Sequence, residues 1–319
     1  MQINSIIDII DGKLLNSPSI SFIYSFKTDV NKIKEGDLFI ASNLDDIQMA
    51  VQKGAFAIIT QNFYPIIDNE IAWIKVNNIQ EAIIKLLRYK LATYNLKAFY
   101  CNPISFNFFK AFSSYDKSLK FISKDFDELI SSIDDINEKT ILLSKDIELL
   151  DKLYPNHSAF EKENFNISNL IEHSIFEVSF TYKTRYFQKL KIPSLYLEEF
   201  IRVYDFLNIS DFDDSKLKNF DFFKPIFLDK NLNLIEFGKS DKFIIVQNEN
   251  SLIKKEIDFL EKNFSYGKII HLNSKDIRNI DKLKEQIKKQ SFNALYISGF
   301  RLEQVQQALL KEEKELTLF

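Results

Sequence analysis

Glycine, which forms the loops that bind nucleoside phosphates, is scarce in this chain. Its 319 residues contain 6 glycines, which stand singly. A loop that holds a nucleoside triphosphate has glycines between a strand and the helix that follows it. Because glycine has no side chain, the backbone amides of such a loop can approach the phosphates closely. Gly238-Lys239-Ser240 ends the G-x-x-x-x-G-K-[ST] pattern but has Asn233 where the first glycine should stand. We interpret this fragment as a turn between strand-like runs 234–237 and 243–246.

Cysteine and histidine, which act as nucleophiles or metal ligands, are few and isolated along the chain. The one cysteine, Cys101, lies in an apolar, aromatic stretch, which favours an inert buried thiol and excludes an internal disulfide. The histidines, His157, His173 and His271, are far apart and have no cysteine cluster beside them. The sequence therefore predicts no catalytic residue, no metal site and no cofactor.

The composition is that of an ordinary globular protein, with 45% hydrophobic and 27% charged residues. The 42 basic and 45 acidic residues give a formal charge of -3, which supplies no field for nucleic acid or an anionic membrane. The N-terminus has no basic region followed by an apolar stretch, and no run approaches the roughly 18 apolar residues of a membrane span. We predict no nucleic-acid partner, no signal peptide, no membrane span and a cytoplasmic location.

The sequence predicts three domains, whose strands and helices position any site. The first domain covers residues 1–95. Short β-rich runs alternate there with helical ones, which indicates a small α/β domain. Its predicted strands are 20–24, 38–41, 56–60 and 72–76. Its predicted helices are 45–53, which Gly54 ends, and 79–94, which carries an apolar stripe of helical spacing.

The second predicted domain, residues 96–224, has the least regular pattern. Its predicted strands are 98–100, 121–122, 140–143 and 176–180. Its predicted helices are 105–112, 126–133 and one that follows Ile192-Pro193-Ser194.

The third predicted domain, residues 225–319, alternates strands and helices regularly. Its predicted strands are 243–247, 268–272 and 294–298, and its predicted helices are 250–263, 276–289 and 301–314. Such alternation implies a Rossmann-like parallel sheet covered by helices. The mixed-sign run 311–315 is interpreted as a solvated helix face.

Two stretches of the first domain resemble the N-terminal domain of the Mur ligases. The sequence TDVNKIKEGDLFIA, from Thr28 to Ala41, is similar to that family's T-D-S-R-x-[IV]-x-x-G-D-L-F-[IV]-A. The sequence AVQKGAFA, from Ala50 to Ala57, is similar to the A-x-x-x-G-A-x-A that follows it. A turn made by Gly36 and Asp37 would also explain part of this pattern.

Three later stretches resemble the same family in the same order. Ile192-Pro193-Ser194 is similar to its I-P-G, Asn248-Glu249-Asn250-Ser251 to its Y-N-A-N-P-x-S, and the segment 295–301 to its V-L-V-K-G-S-R. These matches bracket the chain. They resemble most the MurF branch, which adds D-alanyl-D-alanine to the UDP-MurNAc-tripeptide. The resemblance implies an α/β fold of three domains with a reduced central domain.

The resemblance also implies a set of substrate-binding positions in vestigial form. They are Thr28, Asp29, Asn31, Asp46, Asn248, Asn250 and Arg301. The other interpretation of these polar residues is structural, since the ends of strands and the starts of helices favour residues that cap the next element.

The departures from the family bear on activity. Where the family has its ATP loop, this chain reads FYCNPISFNFFK over residues 99–110, with no glycine. Its T-D-S-R has become Thr28-Asp29-Val30-Asn31, its D-G-H has become Asp45-Asp46-Ile47, and its K-G-S-R has become Ser298-Gly299-Phe300-Arg301. The short central region leaves little room for the Mg²⁺ carboxylates and carbamylated lysine that the family uses. Phosphoryl transfer depends on positioned cations around the γ-phosphate, which this pattern does not supply.

The resemblance and the departures from it leave three hypotheses for the function. The first is a pseudoenzyme of peptidoglycan precursor synthesis that binds a UDP-MurNAc precursor or serves as a scaffold for peptidoglycan-synthesis proteins. The second is a diverged, active ligase that uses ATP and Mg²⁺ at an unconventional site and adds D-Ala-D-Ala to UDP-MurNAc-tripeptide. The third is an interaction module with a large exposed apolar patch, for which Phe220-Asp221-Phe222-Phe223 is a candidate.

Overall fold

The computed structural model of this protein describes residues 1–134, 136–160, 165–277, 279–288 and 290–310. The helices are α1 (Ile3–Ile10), α2 (Ile47–Gln52), α3 (Ile79–Leu91), α4 (Pro103–Ala111), α5 (Phe126–Asp134), α6 (Ile147–Leu153), α7 (Leu197–Phe206), α8 (Asn250–Asn263), α9 (Leu283–Lys288) and α10 (Leu302–Leu310). The strands are β1 (Lys13–Leu14), β2 (Phe26–Lys27), β3 (Leu38–Ile40), β4 (Ala57–Thr60), β5 (Ala72–Lys75), β6 (Lys97–Tyr100), β7 (Leu119–Phe121), β8 (Ile141–Ser144), β9 (Ser158–Ala159), β10 (Ile167–Ser174), β11 (Glu177–Tyr182), β12 (Arg185–Leu190), β13 (Pro225–Phe227), β14 (Phe243–Gln247), β15 (Ile269–Asn273) and β16 (Ala294–Ser298).

The chain forms two compact units. The first comprises Met1–Asn102 and Lys117–Glu161, and the second comprises Pro103–Asp116 and Lys162–Phe319. Helix α4 therefore belongs to the second unit, although the strands before and after it in the chain, β6 and β7, belong to the first.

The first unit begins with a sheet in the order β1-β5-β4-β3-β2, in which β1 is antiparallel and the other strands are parallel. Its central strands are buried on both faces, as continuous apolar runs in parallel sheets usually are. Leu38 and Ile40 face a core that contains α1 and α3, whereas Phe39 faces a smaller core with Ile47 of α2.

A second sheet in this unit has the order β7-β8-β6-β9 and is parallel throughout. Helix α3 packs against α1, α5 and α6, so the larger core of the unit extends from the first sheet to the second. The Tyr154 hydroxyl accepts a bond from the Leu96 amide at 2.8 Å within this core.

The second unit contains a three-stranded antiparallel sheet, β10-β11-β12, and an aromatic cluster beneath it. The cluster joins β11 and β12 to α4 and α7. Phe108 of α4 stacks on Phe220 with ring centres 4.1 Å apart and meets Phe200 of α7 edge to face at 5.7 Å. Phe180 of β11 also packs on Phe200, at 6.1 Å. These aromatic contacts hold α4 in the second unit.

The second unit ends in a sheet of order β13-β14-β16-β15, in which β13 is antiparallel and the other three strands are parallel. Alternate residues of these strands point to opposite faces. Glu256 of α8 bonds to Gln247 and Tyr296, which places α8 on one face. Val246 and Ile297 point to the other face and share a core with α9 and α10.

The predicted α/β fold class and the C-terminal parallel sheet are confirmed. Most predicted elements lie within a few residues of those observed. The predicted strand 20–24 is wrong: only Phe22 forms a bridge, to Gln2, and β2 begins at Phe26. The backbone there pairs with the first residues instead, since the Ile3 amide bonds to the Ser21 carbonyl at 2.9 Å. The run 311–315 lies outside the described residues.

Several elements were not predicted, namely α1, α6, β1, β2, β9, β10, β12 and β13. The domain boundaries near residues 95 and 224 stay predictions. Each sheet lies inside one predicted segment, but the two compact units divide the chain differently. Within the described part of the chain, no helix is long and apolar enough to cross a bilayer.

The suggested apolar patch at Phe220-Asp221-Phe222-Phe223 is also wrong. Phe220 and Phe223 are buried, with 3% and 1% of their surface exposed, because they pack into the aromatic core of the second unit.

Candidate functional site

The carboxyl ends of β14 and β16 lie side by side in the second unit, and the edge between them is called the crevice below. The two strands are adjacent and parallel, but α8 leaves β14 toward one face of the sheet and α10 leaves β16 toward the other. In open α/β sheets, ligands bind at such a topological switch point, because the departing helices leave a gap between them.

Three of the predicted binding residues follow the strands that end at this crevice. Asn248 follows β14 directly, Asn250 is the first residue of α8, and Arg301 directly precedes α10, and all three are exposed. Glu249 occupies the cap position of α8, so neither asparagine has the capping position that would explain it structurally. The Arg301 amide donates to the Gln304 side chain at 2.9 Å, at the start of α10.

Gly299 shapes the crevice. Its φ is +84°, and a Cβ atom built on it would lie 2.8 Å from the Ser274 hydroxyl. Its amide donates to the Gln247 carbonyl at 2.8 Å, which ties the loop after β16 to the end of β14. A side chain at this position would clash and strain the backbone, so the glycine allows the loops after β15 and β16 to approach each other.

The N-terminus of α8 and the Arg301 guanidinium make the crevice favourable to an anion. The amides of the first turn of α8 have no partner within the helix, and its dipole places partial positive charge there. A guanidinium adds two parallel donors that fit a carboxylate or a phosphate.

A buried carboxylate lies under this crevice. The Glu256 side chain is fully buried, and the Gln247 amide donates to it at 2.8 Å. The Tyr296 hydroxyl donates to its second oxygen at 2.5 Å, and the Tyr196 hydroxyl also donates to it. Burial raises the pKa of Glu256 despite these donors. Sequence analysis missed this cluster, because Tyr196, Gln247, Glu256 and Tyr296 share no local pattern.

His271 extends the polar face of the sheet toward the crevice. Its Nε2 atom lies 3.0 Å from the Ser298 hydroxyl at the end of β16, and its ring packs edge to face on Tyr296. Ser298 is buried and pairs in register with Asn273, so the side chains of β15 and β16 meet at the same edge.

The other four predicted binding residues lie in the first unit, after β2 and β3. Thr28 directly follows β2, and Asp29 caps the next turn by accepting from the Asn31 amide at 2.9 Å. Asp46 stands at the cap position of α2 without making a side-chain cap bond. The structural interpretation therefore explains Asp29, whereas Thr28, Asn31 and Asp46 stay binding predictions at the carboxyl edge of the first sheet.

The Gly36-Asp37 pair is a turn, as its residue types predict. Gly36 has a φ of +92°, and the Asp37 carboxylate accepts from the Lys34 amide at 3.0 Å. The pair thus shapes the entry to β3.

The position that the resemblance assigns to an ATP loop has no loop of that kind. Strand β6 ends at Tyr100 and α4 begins at Pro103, so only Cys101 and Asn102 connect them. The Cys101 amide donates to the Ser144 carbonyl at 2.7 Å and so extends the sheet. Cys101 is fully buried, and burial raises its pKa to about 12, which fits the predicted inert thiol. A phosphate cradle needs several backbone amides aimed outward, and this connection does not provide them.

Gly238-Lys239-Ser240 is a turn. It leads into strand β14, whereas a phosphate-binding G-K-[ST] opens a helix. Gly238 has a φ of +73°, and the Ser240 hydroxyl accepts from the Lys242 amide at 2.9 Å. The run 234–237 is not a strand as expected, because only Leu234 pairs, with Leu228.

Among the described residues, no group of three or more His, Cys, Asp or Glu side chains is arranged to hold a metal ion.

The sequence matches no protein-family model and no curated protein. Solved structures match the fold. The UDP-N-acetylmuramoylalanyl-D-glutamyl-2,6-diaminopimelate–D-alanyl-D-alanyl ligase from Acinetobacter baumannii aligns with a TM-score of 0.50 at 10% identity, over 97% of this chain and 97% of that chain. MurF from Thermotoga maritima, in complex with ADP, aligns with a TM-score of 0.48 at 12% identity, over 89% of this chain and 96% of that chain. The first of these two alignments shows that this chain has a Mur-ligase-like α/β fold.

Proposed function

We propose that this chain is a non-catalytic protein of Mur-ligase fold that binds a UDP-MurNAc-type peptidoglycan precursor and holds it for other proteins of cell-wall synthesis. The observation that carries this proposal is the direct step from β6 to α4. The two connecting residues leave no glycine-rich loop for a triphosphate, and one of their amides is already used by the sheet.

The loss of that loop affects catalysis more than it affects binding. Phosphoryl transfer requires backbone amides and cations placed around the γ-phosphate, so an acyl-phosphate step has no support here. Binding of a precursor does not require these groups. It requires polar groups at the edges of the sheets, which this chain keeps after β2, β14 and β16.

The crevice between β14 and β16 suits the carboxylates of a peptide stem. Arg301 offers a bidentate donor, and Asn248 and Asn250 offer amide groups beside the first turn of α8. Thr28, Asn31 and Asp46, at the edge of the first sheet, are the residues we assign to the sugar nucleotide. A protein with this role would act in the cytoplasm together with peptidoglycan-synthesis proteins.

Two assays on the full chain test the proposal. Calorimetric titration with UDP-MurNAc-tripeptide should show binding, and Arg301→Ala should weaken it roughly tenfold by removing a charge-assisted bidentate contact. Lys268→Ala is the matched control, since Lys268 is exposed at the opposite, amino end of β15 in the same sheet. Incubation with the tripeptide precursor, D-Ala-D-Ala and Mg·ATP should yield neither pentapeptide nor ADP.

Formation of UDP-MurNAc-pentapeptide with matching release of ADP would replace this proposal with an active, diverged ligase. Lys239→Ala and Ser240→Ala would then show whether the turn at residues 238–240 takes part. Lack of binding to the tripeptide precursor, or equal binding by the Arg301→Ala and Lys268→Ala variants, would remove the precursor-binding role.

A further inference from the structure

A second concave site lies in the second unit, away from the crevice. It is a cavity of about 460 Å³ between the β11–β12 hairpin, the 3₁₀ helix Asp214–Asn219 and the segment that leads into β13. Phe176 in its wall contacts Phe243, the first residue of β14, with ring centres 4.9 Å apart. The cavity thus lies at the amino end of β14, whereas the crevice lies at the carboxyl end of this strand.

The cavity concentrates positive charge in a chain whose net charge is negative. Four lysines and one aspartate line it, Lys189, Lys191, Lys218, Lys224 and Asp214, which gives a local formal charge of +3 against -3 for the whole chain. Lys224 also bonds to Asp221 at 3.2 Å, which lowers the local excess to +2. An excess of this sign in a concave site attracts anions.

Two of these lysines are fixed at the cavity by contacts within the protein. The Lys224 ammonium donates to the Lys218 carbonyl at 2.8 Å, and the Lys191 ammonium lies 4.7 Å from the centre of the Phe237 ring. Lys189 and Lys218 also line the cavity, and both are exposed to solvent.

The interior is aromatic. Phe176, Phe220 and Phe223 are buried in its walls, with 5%, 3% and 1% of their surface exposed. The Phe176 and Phe237 rings meet edge to face, inclined by 72° with ring centres 6.5 Å apart. Phenylalanine edges and faces around a space of this kind favour a flat ring system, which can pack edge to face or offset against them.

We propose that this cavity binds an organic anion with a planar ring body, which inserts its ring between the phenylalanines and leaves a phosphate, sulfonate or carboxylate among Lys189, Lys191 and Lys218. The volume falls in the range of small-molecule sites, which are mostly apolar with a few polar groups that fix orientation. This site is additional to the precursor site proposed above and does not depend on it.

The first test is a calorimetric comparison of four probes on the full chain. Naphthyl phosphate should bind with a dissociation constant below about 1 mM. Naphthol carries the same ring without the charge, and inorganic phosphate carries the charge without the ring. Naphthol and inorganic phosphate should each bind at least roughly tenfold more weakly than naphthyl phosphate, since one lacks the charged group and the other lacks the ring. Decanoate, an aliphatic anion, should also bind more weakly than naphthyl phosphate.

The second test uses charge variants of exposed lysines. The double variant Lys189→Ala with Lys191→Ala should weaken naphthyl phosphate binding roughly tenfold, and Lys218→Ala roughly threefold. Lys216→Ala is the control, because Lys216, a half-buried lysine, lies on the same 3₁₀ helix as Lys218 but does not line the cavity. Arg301→Ala should bind the probe as the parent chain does.

Absence of naphthyl phosphate binding would overturn the proposal, as would equal affinities for naphthyl phosphate and naphthol. Equal effects of Lys218→Ala and Lys216→Ala would show general charge attraction instead of a site, and would also overturn it. Tighter binding of decanoate would overturn the assignment of a planar ring body.

Discussion

At the scale of single residues, Glu256 has an environment very different from that of an exposed carboxylate. It accepts hydrogen bonds from Gln247, Tyr196 and Tyr296, and it has no exposed surface. Burial raises the pKa of both tyrosines, so their hydroxyls keep their protons and donate. Burial also raises the pKa of Glu256 above its ordinary value of 4.5, because removal of water disfavours the charged form more than the three donors favour it.

This raised pKa gives a prediction for stability. The folded protein holds the Glu256 proton more tightly than the unfolded chain, so the free energy of unfolding should fall as pH rises from 4.5 through the raised pKa. The loss should be on the order of 1.4 kcal/mol for each pH unit by which the pKa is raised. Glu256→Gln removes the titration and should flatten this dependence, as urea denaturation at a series of pH values would show.

Glu261→Gln is the control for this prediction, since Glu261 is an exposed residue of the same helix. It should leave the pH dependence as it is in the parent chain. An unchanged slope in Glu256→Gln would mean that Glu256 does not titrate differently in the folded and unfolded chains.

At the scale of elements, α6 shows how a short helix depends on its first residue. The Asp146 side chain accepts from the Leu149 amide at 3.0 Å and so satisfies one of the amides that the first turn leaves open. The Ser144 hydroxyl accepts from the Asp146 amide at 3.0 Å and fixes the connection from β8. These local bonds hold the helix where its three buried leucines reach the core.

We expect Asp146→Ala to lower the free energy of unfolding by about 1 kcal/mol, because it removes the cap. Asp146→Asn should retain most of the stability, since asparagine caps as well as aspartate. The partly exposed ion pair that it loses with Lys124 contributes about 0–1 kcal/mol. Chemical denaturation of both variants measures this difference. Equal losses in the two variants would assign the effect to the ion pair rather than to the cap.

At the scale of the whole molecule, the chain builds separate cores from interleaved segments. The core around α1, α3 and the second sheet belongs to the first unit, and the aromatic cluster around Phe108 belongs to the second. Strand β6 belongs to the first unit and helix α4 to the second, although only two residues connect them. Each unit therefore has an apolar core of its own.

Phe108→Ala should destabilise the second unit by about 3–5 kcal/mol, because it removes a fully buried ring stacked on Phe220. Amide hydrogen exchange should then speed up within α7 and β11 and change little within β3 and β4, if each core opens as its own cooperative unit. Leu86→Ala, in the core of the first unit, should give the reverse pattern. Equal loss of protection in both units after either substitution would contradict separate opening.

The sequence by itself determined the elements whose pattern is local. The apolar run of β14 and the striped helix α8 were predictable from periodicity, and the lack of clustered glycines predicted that the step after β6 could not cradle a triphosphate. Gly54 and Gly238 were predictable as turn positions, because glycine adopts the left-handed backbone conformation more readily than other residues. The short strands β9 and β13 carry too few residues to show a period.

Only the tertiary structure decided which distant residues meet. The Glu256 cluster joins residues separated by 60 positions in the case of Tyr196 and by 40 in the case of Tyr296, and no spacing rule relates them. The lysine and phenylalanine cavity likewise draws on the β11–β12 hairpin and on residues after α7. Burial, pKa and the sign of a local field depend on what packs around a side chain, and packing is set by the order of strands in the sheet rather than by the order of residues in the chain.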